Sequence, residues 1–164
     1  MEKYKFRKYN KKFPDMFRKE KAKLKNILSK ANIEHIGSTS IPNVGGKGII
    51  DIMVSVPKKE INKIKKQLQR EGYILKPKAG DKDRIFFEKD YKYNGKIRRV
   101  HLHLTTNNSN VWKNAIQFRD YLIEDKGERK RYETIKMKAV KISKGEGKVY
   151  RKYKEKFFKE VLNK

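Results

Sequence analysis

Cysteine is absent from this 164-residue chain, which excludes both a disulfide scaffold and a thiolate-bound zinc site. Long hydrophobic runs are absent too. None nears the roughly 20 residues that cross a bilayer, so no membrane partner is expected. The opening stretch MEKYKFRKYNKKF is basic but lacks the apolar centre of a secretory signal, and a cytoplasmic setting is the expectation. Proline is scarce, with four residues. No linker-like or repeated stretch interrupts the pattern, so 1–164 reads as a single domain. Acidic side chains are outnumbered, 19 Asp and Glu against 45 Lys and Arg, and histidine occurs three times.

The resulting formal charge of +26 attracts polyanions at long range and makes such binding salt-sensitive. RNA is therefore one candidate partner. The lysines are spread over every segment, however, and lysine-rich usage is equally the habit of a source organism. High charge accompanies disorder where apolar residues are few. Here Ile, Val, Leu, Phe, Tyr and Trp recur periodically along the chain, which is long enough to bury a core.

That periodicity predicts the elements. Phe13, Phe17, Leu24, Ile27 and Leu28 stand at helical spacing, with Pro14 suited to a first turn, so a helix is expected over 14–30. Ile33–Ile36 is a short strand, Gly37–Gly48 a loop, and Ile49–Val56 a buried strand stopped by Pro57. A second helix follows over 58–71, closed by Gly72, and Tyr73–Leu75 is a strand. Arg84–Glu88 and Ile97–Leu104 form two more, joined through the hairpin signal Asn94-Gly95. In the latter, Val100, Leu102 and Leu104 point one way and Arg99, His101 and His103 the other. Three helices close the chain: about 110–125 (Trp112, Ile116, Ile123), about 128–142 (Tyr132, Ile135, Ala139, Ile142), and one through Tyr150, Tyr153, Phe157 and Val161 after breaks at Gly145 and Gly147. The class is α+β, a mixed β-sheet core over about 1–105 with flanking helices, then a helical C-terminal subregion over about 106–164.

The segment from Ile33 to Val56, IEHIGSTSIPNVGGKGIIDIMVSV, concentrates the chemistry. Gly37, Ser38, Thr39 and Ser40 follow a strand directly. Glycine permits a tight turn, and hydroxyls with amide N–H groups can grip phosphate oxygens, although the Walker spacing is absent and an ordinary polar turn has the same composition. Asp51 sits thirteen residues after Ser38 inside an apolar strand. There a carboxylate is costly unless paired, so it serves as a Mg²⁺ ligand beside substrate phosphates, or pairs with an arginine or backbone amides. All three histidines lie in these motifs. His101 and His103 share one strand face with Cβ atoms roughly 7 Å apart, and His35 precedes the loop. Such a group could bind a metal or phosphate, or move protons. Arg119 could reach a triphosphate as a fixed planar cation, or pair with Asp120 or Asp51.

The same segment closely resembles the GrpB family, whose pattern reads approximately EHIGSTSVPGLxAKPIIDI. The resemblance extends to Tyr9, Phe13, Phe17 and Glu20 near the start, Arg84 with Phe86, His101-Leu102-His103, Phe118-Arg119-Asp120-Tyr121-Leu122, and Tyr132, Lys136, Tyr150, Lys154 and Phe157 near the end. It implies a nucleotidyltransferase-like fold related to polymerase β-type enzymes, in which a Gly-Ser turn precedes a strand with two alternate carboxylates and a third comes later. Gly37-Ser38 and Asp51 fit that scheme. Met53 replaces the second carboxylate, the later strand carries His101 and His103, and Gly48 stands where the family usually has proline.

Three functions are then open. The first is a nucleotidyltransferase-like transferase: Gly37, Ser38, Thr39, Ser40, Arg119, Lys136 and Lys154 bind a nucleoside triphosphate, Asp51 binds Mg²⁺ with help from His101 or His103, and a histidine acts as base. The second is a non-catalytic module for nucleotide or RNA. The third is a hydrolase with Zn²⁺ or another transition metal on His35, Asp51, His101 and His103.

Overall fold

A computed structural model describes residues 6–144 and 146–164. Five strands form one sheet in the order β1-β2-β5-β4-β3: β1 (Asn32–Ile36), β2 (Ile50–Val56), β3 (Ile74–Leu75), β4 (Ile85–Tyr93) and β5 (Lys96–Thr106). Pairing is parallel only between β2 and β5 and antiparallel elsewhere, so the sheet is mixed. The sequence IDIMVSV explains the central place of β2. Its side chains are buried on both faces except at Asp51, which is partly exposed, as a strand flanked on both edges requires. Asn94 and Gly95 both adopt positive φ, 49° and 77°, the combination that joins two strands in the tightest hairpin. The β4–β5 ladder consequently runs unbroken from Ile85 opposite Leu104 to Tyr93 opposite Lys96. It is longer than the alternation of apolar residues indicated, because polar Lys89, Asp90 and Lys92 pair as well as any.

The register sorts the sheet into two faces. Ile50, Ile52, Val54, Phe87, Val100, Leu102 and Leu104 look one way and are buried. α1 (Phe13–Ile27) and α2 (Ile61–Arg70) contribute Phe13, Met16, Leu24, Ile64 and Leu68 to the same core. Each large side chain so enclosed stabilises the fold by about 1.5–3 kcal/mol. α1 also buries Glu20, which accepts the Tyr73 hydroxyl and lies 3.5 Å from Lys89 Nζ. Both helices are shorter than predicted: 58–60 is a separate 3-10 turn after Pro57, and α1 ends at Ile27 before a non-helical Leu28.

α3 (Asn110–Glu124), α4 (Lys126–Ser143) and α5 (Gly147–Leu162) enclose a second cluster. Phe118, Leu122, Tyr132, Phe157 and Val161 meet Ile41 and Val44 of the 37–48 loop there, so the loop is packed against the C-terminal helices. Ser109 caps α3 through Trp112 N–H at 3.1 Å, and Asp125 caps α4 through Glu128 N–H at 3.0 Å, each satisfying an otherwise orphaned donor. Ile123, Ile142 and Tyr153, expected on the inner faces of these helices, are exposed. Lys136 and Ser143 are buried in the stripe that α4 turns inward. Gly147 begins α5 rather than breaking the chain; the predicted break at Gly145 lies outside the described residues. No helix among the described residues is long and apolar enough to cross a membrane.

Candidate functional site

The second face of the sheet carries the ionisable groups. Asp51 of β2 is level with His101 of β5, and Met53 with His103; across β5, Glu88 and Phe86 of β4 stand opposite the same two histidines. The parallel β2–β5 pairing is what sets one carboxylate beside two imidazoles. His103 Nε2 lies 3.3 Å from Asp51 Oδ1 and its Nδ1 lies 3.4 Å from Arg84 Nη1. A guanidinium only donates, so Nδ1 must accept, Nε2 carries the proton, and His103 donates to Asp51. Its basic lone pair is thereby occupied. His101 sits between two carboxylates, 3.8 Å from Asp51 Oδ1 at one nitrogen and 3.8 Å from Glu88 Oε2 at the other, beyond hydrogen-bonding distance at both. Burial holds its pKa below the usual imidazole value. Phe86 meets both rings edge-on, at 4.8 and 5.1 Å. Burial works against the charge on Asp51, but the His103 hydrogen bond and the charges of His103, His101 and Lys47 outweigh it and hold this carboxyl well below the usual range.

The loop approaches from above. Gly37 has φ 74° and ψ −177°, a region essentially reserved for glycine. A Cβ there would fall 2.5 Å from Asp51 Oδ2, so the turn and the carboxylate are in van der Waals contact. The hydroxyls after it diverge in use. Thr39 Oγ1 donates to Ile49 O at 3.3 Å and accepts from His35 Nε2 at 2.9 Å; Ser40 Oγ donates to Gly37 O at 2.5 Å. Both serve the loop itself. Ser38 Oγ has no hydrogen bond among the described residues and lies against Gly46, where a Cβ would meet it at 2.5 Å and Lys136 Nζ at 3.0 Å. Of the four expected phosphate contacts, Gly37 lies against Asp51 and Ser38 against Gly46; the hydroxyls of Thr39 and Ser40 are spent internally.

Lysines close the other side. Lys136 is fully buried in α4, donates to Gly45 O, and lies 4.4 Å above the Tyr132 ring. Burial first, then the charges of Lys154 and Lys47, pull its pKa down to about 6. Lys154 of α5 is affected in the same way, by burial and then by Lys47, and is brought to about 8. Lys47 and Lys154 both lie over the ring of Tyr150, at 6.0 and 5.4 Å. Asp51 is the carboxylate whose charge both Lys136 and Lys154 feel. Three lysine side chains, Lys136 fully buried and Lys47 and Lys154 half-buried, thus lie near one another and within electrostatic reach of Asp51.

Two expected members stand elsewhere. His35 is level with Ile52, which puts it on the opposite face of the sheet, stacked on Phe17 at 4.6 Å; its burial lowers its pKa to about 4. Alternation along β1 decides this, since a residue next to Ile36, which is level with Asp51, must point away from it. Arg119 donates to Glu34 Oε2 at 2.7 Å, His35 O at 3.0 Å and Asp120 Oδ1 at 2.9 Å. Burial opposes its charge, but the bonds to Glu34 and Asp120 raise its pKa. It clamps α3 to β1 rather than facing the lysines. Conversely, Lys47, Glu88 and the Arg84–His103 bond were not singled out in the sequence. Lys47 is one lysine among many, and Glu88 is identified only by its register.

The donor set bears on metal binding. Among the described residues no three His, Asp or Glu side chains converge as a metal site would demand. Asp51 has one oxygen bonded to His103 and the other against Gly37, Met53 offers no hard oxygen, Glu34 is held by Arg119, and Glu88 is 3.0 Å from Arg99 Nε. Magnesium asks for oxygen ligands in octahedral array, and zinc for three or four converging donors. These residues fit neither the paired Mg²⁺ ions of a two-metal site nor a histidine-bound Zn²⁺.

The family model described as GrpB protein matches residues 3–164. The UPF0157 protein YqkA of Bacillus subtilis (strain 168) is 34% identical over 131 residues, covering 78% of this chain and 37% of that protein. The chain thus spans little more than a third of that relative's length. Among solved structures, conserved protein GrpB from Enterococcus faecalis superposes with a TM-score of 0.79 at 27% identity, over 97% of this chain and 98% of that one. The Cid1 poly(U) polymerase, in a structure bound to MgATP, superposes with a TM-score of 0.54 at 16% identity, over 79% of this chain and 42% of that one. That likeness shows a shared nucleotidyltransferase-like fold.

Proposed function

The chain belongs to the GrpB family, and from that premise we propose that it binds a nucleoside triphosphate. The phosphates lie between Ser38 and Gly46 of the loop and the amines of Lys47, Lys136 and Lys154. The observation that carries this reading is the gathering of Lys47 and Lys154 over Tyr150 and of Lys136 against Gly45 and Gly46, beside Ser38. Burial and mutual repulsion disfavour charge on these amines, and a polyanion reverses that by supplying opposite charge. The MgATP of the Cid1 structure supports the choice of a nucleotide as that polyanion. Isothermal titration with ATP, GTP, CTP, UTP and inorganic triphosphate tests it. Binding of at least one nucleotide is expected, weakened about tenfold or more in Lys154→Ala, as for a charge-assisted contact. No heat with any of the five refutes it.

One observation favours a second reading, nucleotidyl transfer in which an acceptor hydroxyl attacks the α-phosphorus and pyrophosphate leaves. His101, unlike His103, has no hydrogen bond to either neighbouring carboxylate, and its lowered pKa keeps it as the neutral base at neutral pH. It is the group that takes the acceptor's proton in this reading, and RNA, drawn by the positive charge, is the acceptor class. Incorporation of labelled nucleotide into RNA, lost in His101→Gln, is the expected result. Equal incorporation by wild type and variant rules that role out.

A further inference from the structure

We infer that the site takes its nucleotide without a divalent cation, the lysines standing where magnesium would neutralise the phosphates. This rests on the nucleotide-binding reading above and adds the ionic form of the ligand.

The first support is the state of the carboxylates. Four stand on this face among the described strands, and each has a partner; Asp90, two positions from Glu88 on β4, accepts from Arg99 Nε at 2.9 Å. Asp51 receives His103 at 3.3 Å and presses its second oxygen against Gly37. Glu34, level with Met53, is held by Arg119 at 2.7 Å. Glu88 is held by Arg99 at 3.0 Å. A magnesium ion bridging protein and phosphate needs at least one carboxylate oxygen turned toward the phosphates. Of the Asp51 oxygens, Oδ1 is held by His103, which Arg84 keeps in the donating tautomer from behind, and Oδ2 lies against Gly37.

The second support is the position of the cations. Lys136 Nζ lies within contact distance of Gly46 and beside Ser38 Oγ, on the phosphate side of the loop. Lys47 and Lys154 flank Tyr150 next to it. Ammonium groups beside a phosphate donate directly to its oxygens. A hydrated dication introduced among them adds repulsion at close range.

The test is titration of ATP into the wild-type protein in EDTA and, separately, in saturating Mg²⁺, with Asp51→Asn alongside and Mn²⁺ electron paramagnetic resonance as an independent readout. Affinity in EDTA is expected to equal or exceed that in Mg²⁺. Asp51→Asn is expected to bind ATP as well as or better than wild type in EDTA, since a negative charge facing the phosphates is gone. In a Mn²⁺–ATP mixture the free Mn²⁺ signal is expected to rise when protein is added, because the protein withdraws ATP from its manganese complex. Binding about tenfold tighter in Mg²⁺, or a Mn²⁺ signal broadened by wild type and not by Asp51→Asn, overturns the inference while leaving nucleotide binding intact. Absence of binding in both buffers overturns both.

Discussion

Replacing Lys136 by methionine separates the cost of burying this amine from everything else it does. Its pKa falls from an ordinary 10.5 to about 6 in the folded chain. Between those values the unfolded chain holds a proton that the folded chain does not. Folding therefore releases one proton, and stability rises with pH by about 1.4 kcal/mol per unit. The penalty is full below pH 6 and gone above 10.5. From pH 6.5 to 8.5 the gain works out at roughly 2–3 kcal/mol from this group alone. Its charged neighbours Lys154, Lys47, Glu133 and Asp51 remain in the variant, so subtracting one curve from the other cancels their own titration to first order. Lys136→Met loses the bond to Gly45 O and the contact with Tyr132, an offset that does not depend on pH. Urea denaturation of both proteins at pH 6.5, 7.5 and 8.5, without ligand, is the assay. The stability difference should shift in favour of wild type by roughly 2–3 kcal/mol across that range. Parallel curves would refute the idea that this lysine is buried and neutral.

Three further outcomes follow from the geometry. Arg119→Ala strands Glu34 and the His35 carbonyl; it should lower stability by about 2 kcal/mol in urea melts while leaving ATP affinity unchanged, and a tenfold loss of affinity would return this arginine to the phosphates. Gly37→Ala should cost roughly 2–3 kcal/mol by the same melts, because the backbone conformation is strained for alanine and the new methyl meets Asp51 Oδ2; Gly95→Ala, also at positive φ but with nothing nearby, should cost only about 1 kcal/mol, and equal losses would mean that the Asp51 contact is immaterial. Nitrogen-15 spectra of His103 should show a protonated Nε2 and a bare Nδ1, the pattern lost in Arg84→Leu; a protonated Nδ1 in wild type would break the Arg84–His103–Asp51 chain.

The alternation of Val100, Leu102 and Leu104 against His101 and His103 is local chemistry. A strand's period of two follows from the backbone alone, and the two faces emerged as that period demanded. The same holds for the hairpin at Asn94-Gly95, for the order of elements, and for the turn at Gly37. Each depends on residues within a few positions of one another, so each could be read from the chain. Asp51 stood out for a related reason: a charge inside an apolar run needs a partner whatever the fold.

What lay beyond reach is set by groups distant in sequence. His35 looked like a third site histidine because it is two residues from the loop, but the β1–β2 register turned it toward Phe17. Arg119 is chemically able to hold phosphate; it holds Glu34 because α3 crosses β1 there, 85 positions away. Lys136 and Lys154 stood out only through the family resemblance, and Lys47 not at all; helix packing is what brings α4 and α5 to the loop and buries Lys136. The residue types and the pleat of each strand were thus written in the chain, because covalent geometry is short-ranged. Which charges share a low-dielectric space was decided by tertiary packing, since electrostatic environment depends on what surrounds a side chain and not on what precedes it.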